Sequence, residues 1–253
     1  MGNSFSWTGA APIAYKIKET GLLKKSWLLR WKPVCASTEI ELSKWLKSRP
    51  WSIDNPRAFL AERQSYGKGQ RGRKWKSPRG GIWLSAALPC EGFKESAGLF
   101  GLAVAVALAK RLENSLVPVK IKWPNDLLVN QRKIAGLLPR VVYRGRDPTF
   151  MCLGIGLNVC NRVPKEGISL SEIFGQEKIS IASWSLEVLL SIEKAASLLS
   201  DPVSICDQGE RMLWAKHIKR SDTGEIWEVE GLDLDGRLKV SRGTIRESWN
   251  RWE

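Results

Sequence analysis

The sequence predicts an α+β protein in which a mixed sheet is packed by helices and a small all-β module follows at the C-terminus. Apolar strand-like segments are interspersed with helical stretches through most of the chain, and one long apolar helix is predicted over residues 95–113. Short alternating segments around an Asp235-Gly236 hairpin turn dominate the last 30 residues. With 253 residues, the chain is long enough for one large or two unequal domains.

We therefore divide the chain into an N-terminal segment of residues 1–32, a main domain of residues 33–220 and a β module of residues 221–253. Thr38, with Glu41 three residues later, is a capping box that begins a helix. Strands are predicted at residues 57–64, 82–88, 119–123 and 149–159, and a hairpin at residues 126–143. Further helices are predicted at residues 185–199 and 209–217, and the module strands at residues 225–230, 232–234 and 237–240.

The composition excludes several functional classes. Lys and Arg number 40 against 26 Asp and Glu, and the resulting net charge of +14 favours an anionic partner. Five cysteines without a C-x-x-C pair argue against a disulfide framework and favour a reducing, cytoplasmic location. The single histidine, His217, gives no basis for a multi-histidine zinc site or a Ser-His-Asp triad. No apolar stretch approaches the roughly 20 residues of a membrane span, so no membrane association is expected.

A loop rich in glycine and arginine follows the strand at residues 57–64. Residues 67–75 read G-K-G-Q-R-G-R-K-W, which places cations beside glycines. Glycines let a backbone close on a ligand, cations neutralise phosphate, and Trp75 offers a flat face for stacking on a base. The loop has neither the Walker A nor the Rossmann pattern. A nucleotide-phosphate clamp, a contact to single-stranded nucleic acid and a solvated loop all remain open at this point.

Two strands carry further signals for a ligand. Lys122 lies on a strand face that a helix is expected to cover, where a lysine is costly unless it meets an anion; an edge strand in water is the alternative. Gly154 and Gly156 alternate along another strand and clear one of its faces for a ligand or a second backbone, with a bulge as the alternative.

Together these segments, in this order and spacing, resemble biotin–protein ligases of the monofunctional type, which lack an N-terminal DNA-binding domain. The resemblance rests on residues 67–75 with Ser77-Pro78, on K-W-P-N-D at 122–126 with K-I-A-G-L-L at 133–138, and on G-I-G-L-N at 154–158, with Ser37-Thr38 upstream. It covers residues 33–160 and implies a catalytic domain similar to class II synthetases. The terminal module is similar to the small SH3-like domain of that family.

The resemblance implies an ATP-dependent, magnesium-assisted ligase. Biotin is activated to biotinyl-5′-adenylate and then transferred to a lysine of the biotin carboxyl carrier protein of acetyl-CoA carboxylase. Fixed cations around the α-phosphate would stabilise the charge that develops there without any histidine. A lipoate or octanoyl ligase of related fold is the nearest alternative. A basic single-stranded nucleic-acid-binding protein, favoured by the charge and 13 tryptophans, is a further one. DNA binding is not expected, and a homodimer is compatible with the sequence.

The same resemblance assigns roles to individual residues. Lys122 and Arg71 are the predicted catalytic residues, and Asp126 either faces the metal or caps its turn, so the metal ligands stay unknown. The predicted biotin-binding residues are Ser37, Thr38, Gln64, Gly67, Gly69, Lys122, Gly136, Gly154 and Gly156. The predicted ATP- and adenylate-binding residues are Lys68, Gln70, Arg71, Arg73, Trp75 and Asn158.

Two positions depart from the pattern of the family. Glu39 stands where the family usually has asparagine, which affects a third biotin contact. Gln70 stands where the family often has arginine and brings no charge to the loop. We therefore predict weaker electrostatic retention of biotinyl-adenylate.

Overall fold

The computed structural model describes residues 10–48, 55–90, 96–115, 117–175 and 179–250. Its helices are α1 (Ala11–Thr20), α2 (Thr38–Ser48), α3 (Phe100–Asn114), α4 (Leu170–Phe174), α5 (Ile181–Leu198) and α6 (Pro202–Met212). Its strands are β1 (Leu28–Cys35), β2 (Arg57–Gln64), β3 (Ile82–Pro89), β4 (Lys120–Lys122), β5 (Asp126–Val129), β6 (Arg132–Arg144), β7 (Asp147–Leu157), β8 (His217–Lys219), β9 (Ile226–Leu232), β10 (Leu238–Arg242) and β11 (Ile245–Trp249).

Strands β1 to β7 form one mixed sheet in the order β1-β2-β3-β7-β6-β5-β4. The β1–β2 pair is parallel, and the other neighbouring pairs are antiparallel. Strands β8 to β11 form a separate antiparallel sheet in the order β11-β10-β9-β8. The predicted α+β class, with a small C-terminal β module, is confirmed.

The two faces of the main sheet are covered differently. Helix α3 is buried along most of its length and packs with α5 and α6 in the main hydrophobic core. On the other face, α2 packs over β2 and β3, where Leu42 and Trp45 meet Phe59, Ala87 and Cys152. Alternation along a strand places every second residue of β3, β6 and β7 on this α2 face. The α2 face carries the candidate site.

Residues 28–32 of the N-terminal segment belong to the main sheet. Strand β1 begins at Leu28, so the main domain starts before the predicted residue 33. Helix α1 packs against α5, and Glu193 of α5 accepts hydrogen bonds from the backbone N–H of Lys24 and Lys25 and from the Trp27 indole. The sequence did not predict β1 because it is an edge strand whose burial alternates only over residues 28–32, with Pro33 and exposed residues following.

Three predictions near the C-terminal boundary were wrong. The helix predicted at residues 209–217 ends at Met212, because the Trp214 N–H donates to the Ile121 carbonyl at 2.9 Å and pins the chain to β4. Residues 217–219 are already the first strand of the small sheet, which therefore begins before residue 221. The strand predicted at 232–234 does not exist separately, because β9 runs through Leu232 and a turn closed by Gly236 N–H to Asp233 O follows.

The state of the cysteines and the length of the helices bear on the expectations from composition. The five cysteines are free thiols, and burial raises the pKa of Cys35 to about 11 and of Cys152 to about 12. Across the residues that the structure describes, no helix combines the length and the apolar character needed to traverse a bilayer.

Candidate functional site

A cavity of about 250 Å³ opens on the α2 face of the main sheet. Its floor is formed where β7 lies between β3 and β6, with Ser85 opposite Gly154 and Gly154 opposite Leu138 in the strand register. Its walls come from the start of α2, the end of β2 and the loop at residues 68–75. The cavity brings together these predicted site residues: Ser37, Thr38, Gln64, Lys68, Gly69, Gln70, Arg73, Trp75, Gly136, Gly154 and Gly156.

One end of this cavity is a hydrogen-bonded polar cluster. The backbone N–H and the hydroxyl of Thr38 donate to Gln64 Oε1 at 2.8 and 3.1 Å. The Thr38 hydroxyl also lies 2.8 Å from Ser85 Oγ, and Gln64 Nε2 donates to Ser77 Oγ at 2.8 Å. Helix α2 begins at Thr38 as predicted, but its hydroxyl bonds across the sheet, and Glu41 pairs with Lys32 instead of closing a capping box.

Ser85 belongs to the polar cluster although it is not among the residues predicted from the sequence. It is 1% exposed and is the one polar residue within the apolar segment 82–88. A buried hydroxyl needs a hydrogen-bond partner, and Thr38 is that partner. A single serine within an apolar strand could have indicated a buried polar contact at this position.

The Trp75 indole lies over the sheet between β6 and β7. A Cβ at Gly156 would lie 2.7 Å from the indole, and one at Gly136 would lie 3.0 Å from it. These two glycines therefore make room for Trp75, and both also line the cavity. Their role in making room for biotin stays a prediction. At Gly154 a Cβ would make only ordinary contacts, the nearest at 3.5 Å to Leu138, and this glycine lines the cavity.

Lys133 is a second residue that the sequence analysis did not assign. Its Nζ lies 2.6 Å from Asp126 Oδ1 and 4.6 Å from the centroid of the Trp75 ring. Burial lowers the pKa of Lys133; the charge and hydrogen bond of Asp126 oppose this shift, and the charges of Arg73 and Lys122 add to it. Lys133 is the first residue of the K-I-A-G-L-L motif, and this position could have identified it as a site residue.

A second cavity of about 560 Å³ adjoins the first, and both are bordered by Gln70, Arg73 and Asp126. The predicted catalytic residues Lys122 and Arg71 line this second cavity, not the first. Its other lining residues are Trp123, Pro124, Asn125, Lys219 and Ser221.

The glycine- and arginine-rich loop distributes its cations between the two cavities. Gly69 N–H donates to Arg73 O at 2.8 Å and Trp75 N–H to Gly67 O at 2.9 Å, which closes the loop on itself. Arg71 has φ +54°, a conformation that turns the backbone sharply between its neighbours. Arg71 consequently reaches the second cavity only, while Lys68 reaches the first.

Two predicted site residues line neither cavity. A Cβ at Gly67 would lie 2.6 Å from Trp75 O and 2.7 Å from Ser77 Oγ, so this glycine allows close packing inside the loop. The Asn158 side chain is buried, donates to Lys133 O at 3.1 Å and accepts from Asn161 at 3.0 Å. It supports the strand that carries Lys133, and its contact with adenine stays a prediction.

The structure gives Glu39 a partner. Arg140 of β6 donates to one Glu39 carboxylate oxygen at 2.6 and 2.9 Å, and the Ser43 hydroxyl lies 3.3 Å from the same guanidinium. Glu39 borders the first cavity beside Thr38. The negative charge of Glu39, which stands where asparagine is usual in the family pattern, is therefore neutralised by Arg140.

The carboxylates near the site do not form a metal cage. Nowhere in the described ranges do three or more His, Cys, Asp or Glu side chains gather in a way that could hold an ion. Asp126 borders both cavities, and Lys133 holds its carboxylate. A divalent cation here would take most of its ligands from water and from substrate phosphates, as is common for Mg²⁺.

Comparison with known proteins gives concordant matches. Residues 34–158 match the model of the biotin/lipoate A/B protein ligase family. The bifunctional ligase/repressor BirA of Escherichia coli is 33% identical over 138 residues, which are 54% of this chain and 42% of BirA. The biotin--[acetyl-CoA-carboxylase] ligase of Paracoccus denitrificans is 35% identical over 103 residues, 40% of this chain and 43% of the relative. The chain thus matches less than half the length of these curated relatives.

The fold also matches solved structures. The biotin protein ligase from Aquifex aeolicus in complex with biotin and ATP has a TM-score of 0.71 and 24% identity, covering 91% of this chain and 97% of that chain. The biotin acetyl coenzyme A carboxylase synthetase from Helicobacter pylori with bound biotinylated ATP has a TM-score of 0.62 and 21% identity, covering 88% and 100%. At these identities the likeness establishes the fold.

Proposed function

Since residues 34–158 match the model of the biotin/lipoate A/B protein ligase family, we propose that this chain is an ATP-dependent biotin–protein ligase. It activates biotin to biotinyl-5′-adenylate and transfers biotin to a lysine of a biotin carboxyl carrier protein. One observation carries the proposal: a cavity with a fixed hydrogen-bonding end adjoins a cationic cavity, and Gln70, Arg73 and Asp126 border both.

The first cavity suits the ring system of biotin. The ureido group offers two N–H donors and one carbonyl acceptor, and the Thr38–Gln64–Ser85 cluster offers hydroxyl and amide groups already held in place. A preorganised polar cluster loses little conformational entropy when it binds. Gly154, Leu137 and Ile155 line the cavity as well and offer contacts for the apolar part of the ligand.

The second cavity suits the nucleotide phosphates. In the first step a carboxylate oxygen of biotin attacks the α-phosphorus of MgATP, a P–O bond forms, and pyrophosphate leaves with the electron pair of the broken P–O bond. Two anions must approach, and charge builds on the phosphoryl oxygens. Lys122 and Arg71 are placed on this cavity, so we assign them the stabilisation of that charge.

Lys133 and Trp75 lie at the boundary between the two ligands. The positive charge of Lys133 is partly removed from water, which strengthens its interaction with a nearby anion. Asp126 holds the ammonium group in place until the substrates enter. In the second step the amine of the carrier lysine attacks the carbonyl carbon of the mixed anhydride, and AMP leaves.

The two alternatives are less well supported. The dithiolane ring of lipoate has no N–H donors, so it would leave the polar Thr38–Gln64–Ser85 cluster unmatched. A single-stranded nucleic-acid binder needs an extended basic groove, whereas Arg71, Arg73 and Lys122 meet on one cavity. Mg²⁺ on the nucleotide, the carrier of acetyl-CoA carboxylase as acceptor, a cytoplasmic location and a homodimer stay predictions.

The test is transfer of labelled biotin to a purified carrier domain with ATP, by the wild-type chain and by Lys122→Ala. Lys194→Ala, an exposed lysine on α5, is the matched control. We expect label on the carrier with wild type and Lys194→Ala, and at least about a hundredfold slower labelling with Lys122→Ala, in the range lost when one charge-stabilising donor is removed. Wild type that labels the carrier with lipoate but not with biotin would contradict the proposal.

A further inference from the structure

The second cavity has walls from two different sheets. Lys122 ends strand β4 of the main sheet, and Asn125 lies in the turn between β4 and β5. Arg71 belongs to the glycine- and arginine-rich loop. The remaining wall comes from the C-terminal sheet, which contributes Lys219 of β8 and Ser221 just beyond it. Nothing in the sequence motifs places a residue of the C-terminal sheet in the site.

The strand geometry directs Lys219 toward this cavity. Ile218 is 2% exposed and packs in the main core, so alternation along β8 places Lys219 on the opposite side. Lys219 is one of the residues that line the cavity. Within the described residues, no carboxylate forms an ion pair with Lys219.

The C-terminal sheet and the segment that precedes it are hydrogen-bonded to the residues on either side of Lys122. The Trp123 indole N–H donates to Gly236 O at 2.9 Å, and the Trp214 N–H donates to Ile121 O at 2.9 Å. Leu232 N–H donates to Glu210 Oε1 of α6 at 2.6 Å. Lys219 is therefore held at a fixed place relative to Lys122.

The charges in the cavity fit a polyanion. Arg71, Arg73, Lys122 and Lys219 line it, and its one carboxylate among the described lining residues, Asp126, is paired with Lys133. Asn125, which is 6% exposed, adds an independent signal, because its Nδ2 has no hydrogen-bond partner among the described residues. A buried donor without an acceptor costs free energy, and a ligand oxygen would remove that cost.

We infer that Lys219 binds the β- and γ-phosphates of ATP, and hence the pyrophosphate that leaves. The inference rests on the proposed function for the identity of the nucleotide, since Lys122 and Arg71 are then occupied with the α-phosphate. Lys219 completes the cavity from the opposite wall, with Asn125 as a neutral donor. The C-terminal sheet thereby takes part in the first half-reaction, whereas the transfer step does not involve Lys219.

The direct test is calorimetric binding of inorganic pyrophosphate to the full chain in its wild-type, Lys219→Ala, Lys219→Arg and Lys216→Ala forms. Lys216 is exposed, precedes β8 and does not line the cavity, so it is the matched control. We expect about tenfold weaker binding for Lys219→Ala, which corresponds to one lost charge-assisted hydrogen bond. Lys219→Arg should keep affinity within about threefold, and Lys216→Ala should match wild type.

Two outcomes would overturn the inference: wild type that does not bind pyrophosphate, or equal affinities for Lys219→Ala and Lys216→Ala. Biotin-dependent exchange of pyrophosphate into ATP then tests the proposed function separately. For Lys219→Ala we expect raised KM values for ATP and pyrophosphate, an unchanged KM for biotin and an unchanged rate of transfer from preformed biotinyl-adenylate. Lys219-dependent pyrophosphate binding without biotin-dependent exchange would refute the proposed function and leave the phosphate site standing.

Discussion

The indole of Trp75 occupies the space that a side chain at position 156 would need: a Cβ on Gly156 would lie 2.7 Å from the ring. The same ring stacks edge-on against Trp83, with centroids 6.4 Å apart, and the Lys133 ammonium lies above it. Trp75 thus lies between the sheet floor and the Lys133 ammonium on the first cavity. Its position follows from a glycine that is 81 residues away in sequence.

We first predict that Gly156→Ala displaces the Trp75 indole. Overpacking of this kind costs about 1–3 kcal/mol of unfolding free energy, measured by denaturant titration. The KM for ATP should rise together with a change in tryptophan fluorescence. Gly98→Ala is the control, because a Cβ there meets no atom within 4 Å. Equal stability and equal KM values for the two variants would refute the role given to Gly156.

Gln70→Arg should slow the release of biotinyl-adenylate. Gln70 borders both cavities, so an arginine there would place a positive charge next to the phosphate of the intermediate. One added charge-assisted hydrogen bond predicts about a tenfold longer half-life of the bound intermediate. The half-life is measured by trapping released intermediate with hydroxylamine. An unchanged half-life would show that position 70 does not retain the intermediate.

Asp126→Asn should shift the pH dependence of the first step. Burial lowers the pKa of Lys133, and Asp126 counteracts that shift by favouring the charged amine. Without this carboxylate the pKa falls further, so Lys133 loses its proton at lower pH. The alkaline limb of biotin-dependent pyrophosphate exchange should therefore move to lower pH. An alkaline limb that stays in place or moves upward would contradict this assignment, and Glu172→Gln, an exposed acid outside both cavities, is the control.

Glu39 and Arg140 should act as a pair. Arg140→Ala leaves the Glu39 carboxylate unbalanced beside the cavity and repels anionic biotin. Partly exposed pairs contribute at most about 1 kcal/mol, so we expect about a fivefold higher KM for biotin. The double variant Glu39→Asn with Arg140→Ala should recover most of this loss. Additive effects of the two substitutions in a double-mutant cycle would show that they do not interact.

Much of the main sheet could be predicted from local pattern. Strand β2 was predicted with its observed bounds, and β3 and β5 to β7 within two residues at each end, because apolar alternation and turn residues define them. Most of the predicted biotin-binding residues also line the first cavity. They lie together because Thr38, Gln64 and Gly154 are at the ends or on the faces of these predictable elements.

The remaining site residues depend on tertiary packing. Whether Gly156 faces a ligand or Trp75 is decided by where the loop folds back, which no local pattern encodes. Lys219 lines the second cavity because hydrogen bonds of Trp123 and Trp214 hold the C-terminal sheet next to β4. Asn158 lies in a matching motif, yet its side chain turns inward to Lys133 and Asn161.

The most direct test is a crystal structure of the chain with biotin and a non-hydrolysable ATP analogue. We expect the ureido ring within hydrogen-bonding distance of Thr38 and Gln64, and the α-phosphate between Lys122 and Arg71. Ligands bound outside the two cavities, or phosphates that contact none of these cations, would contradict this expectation.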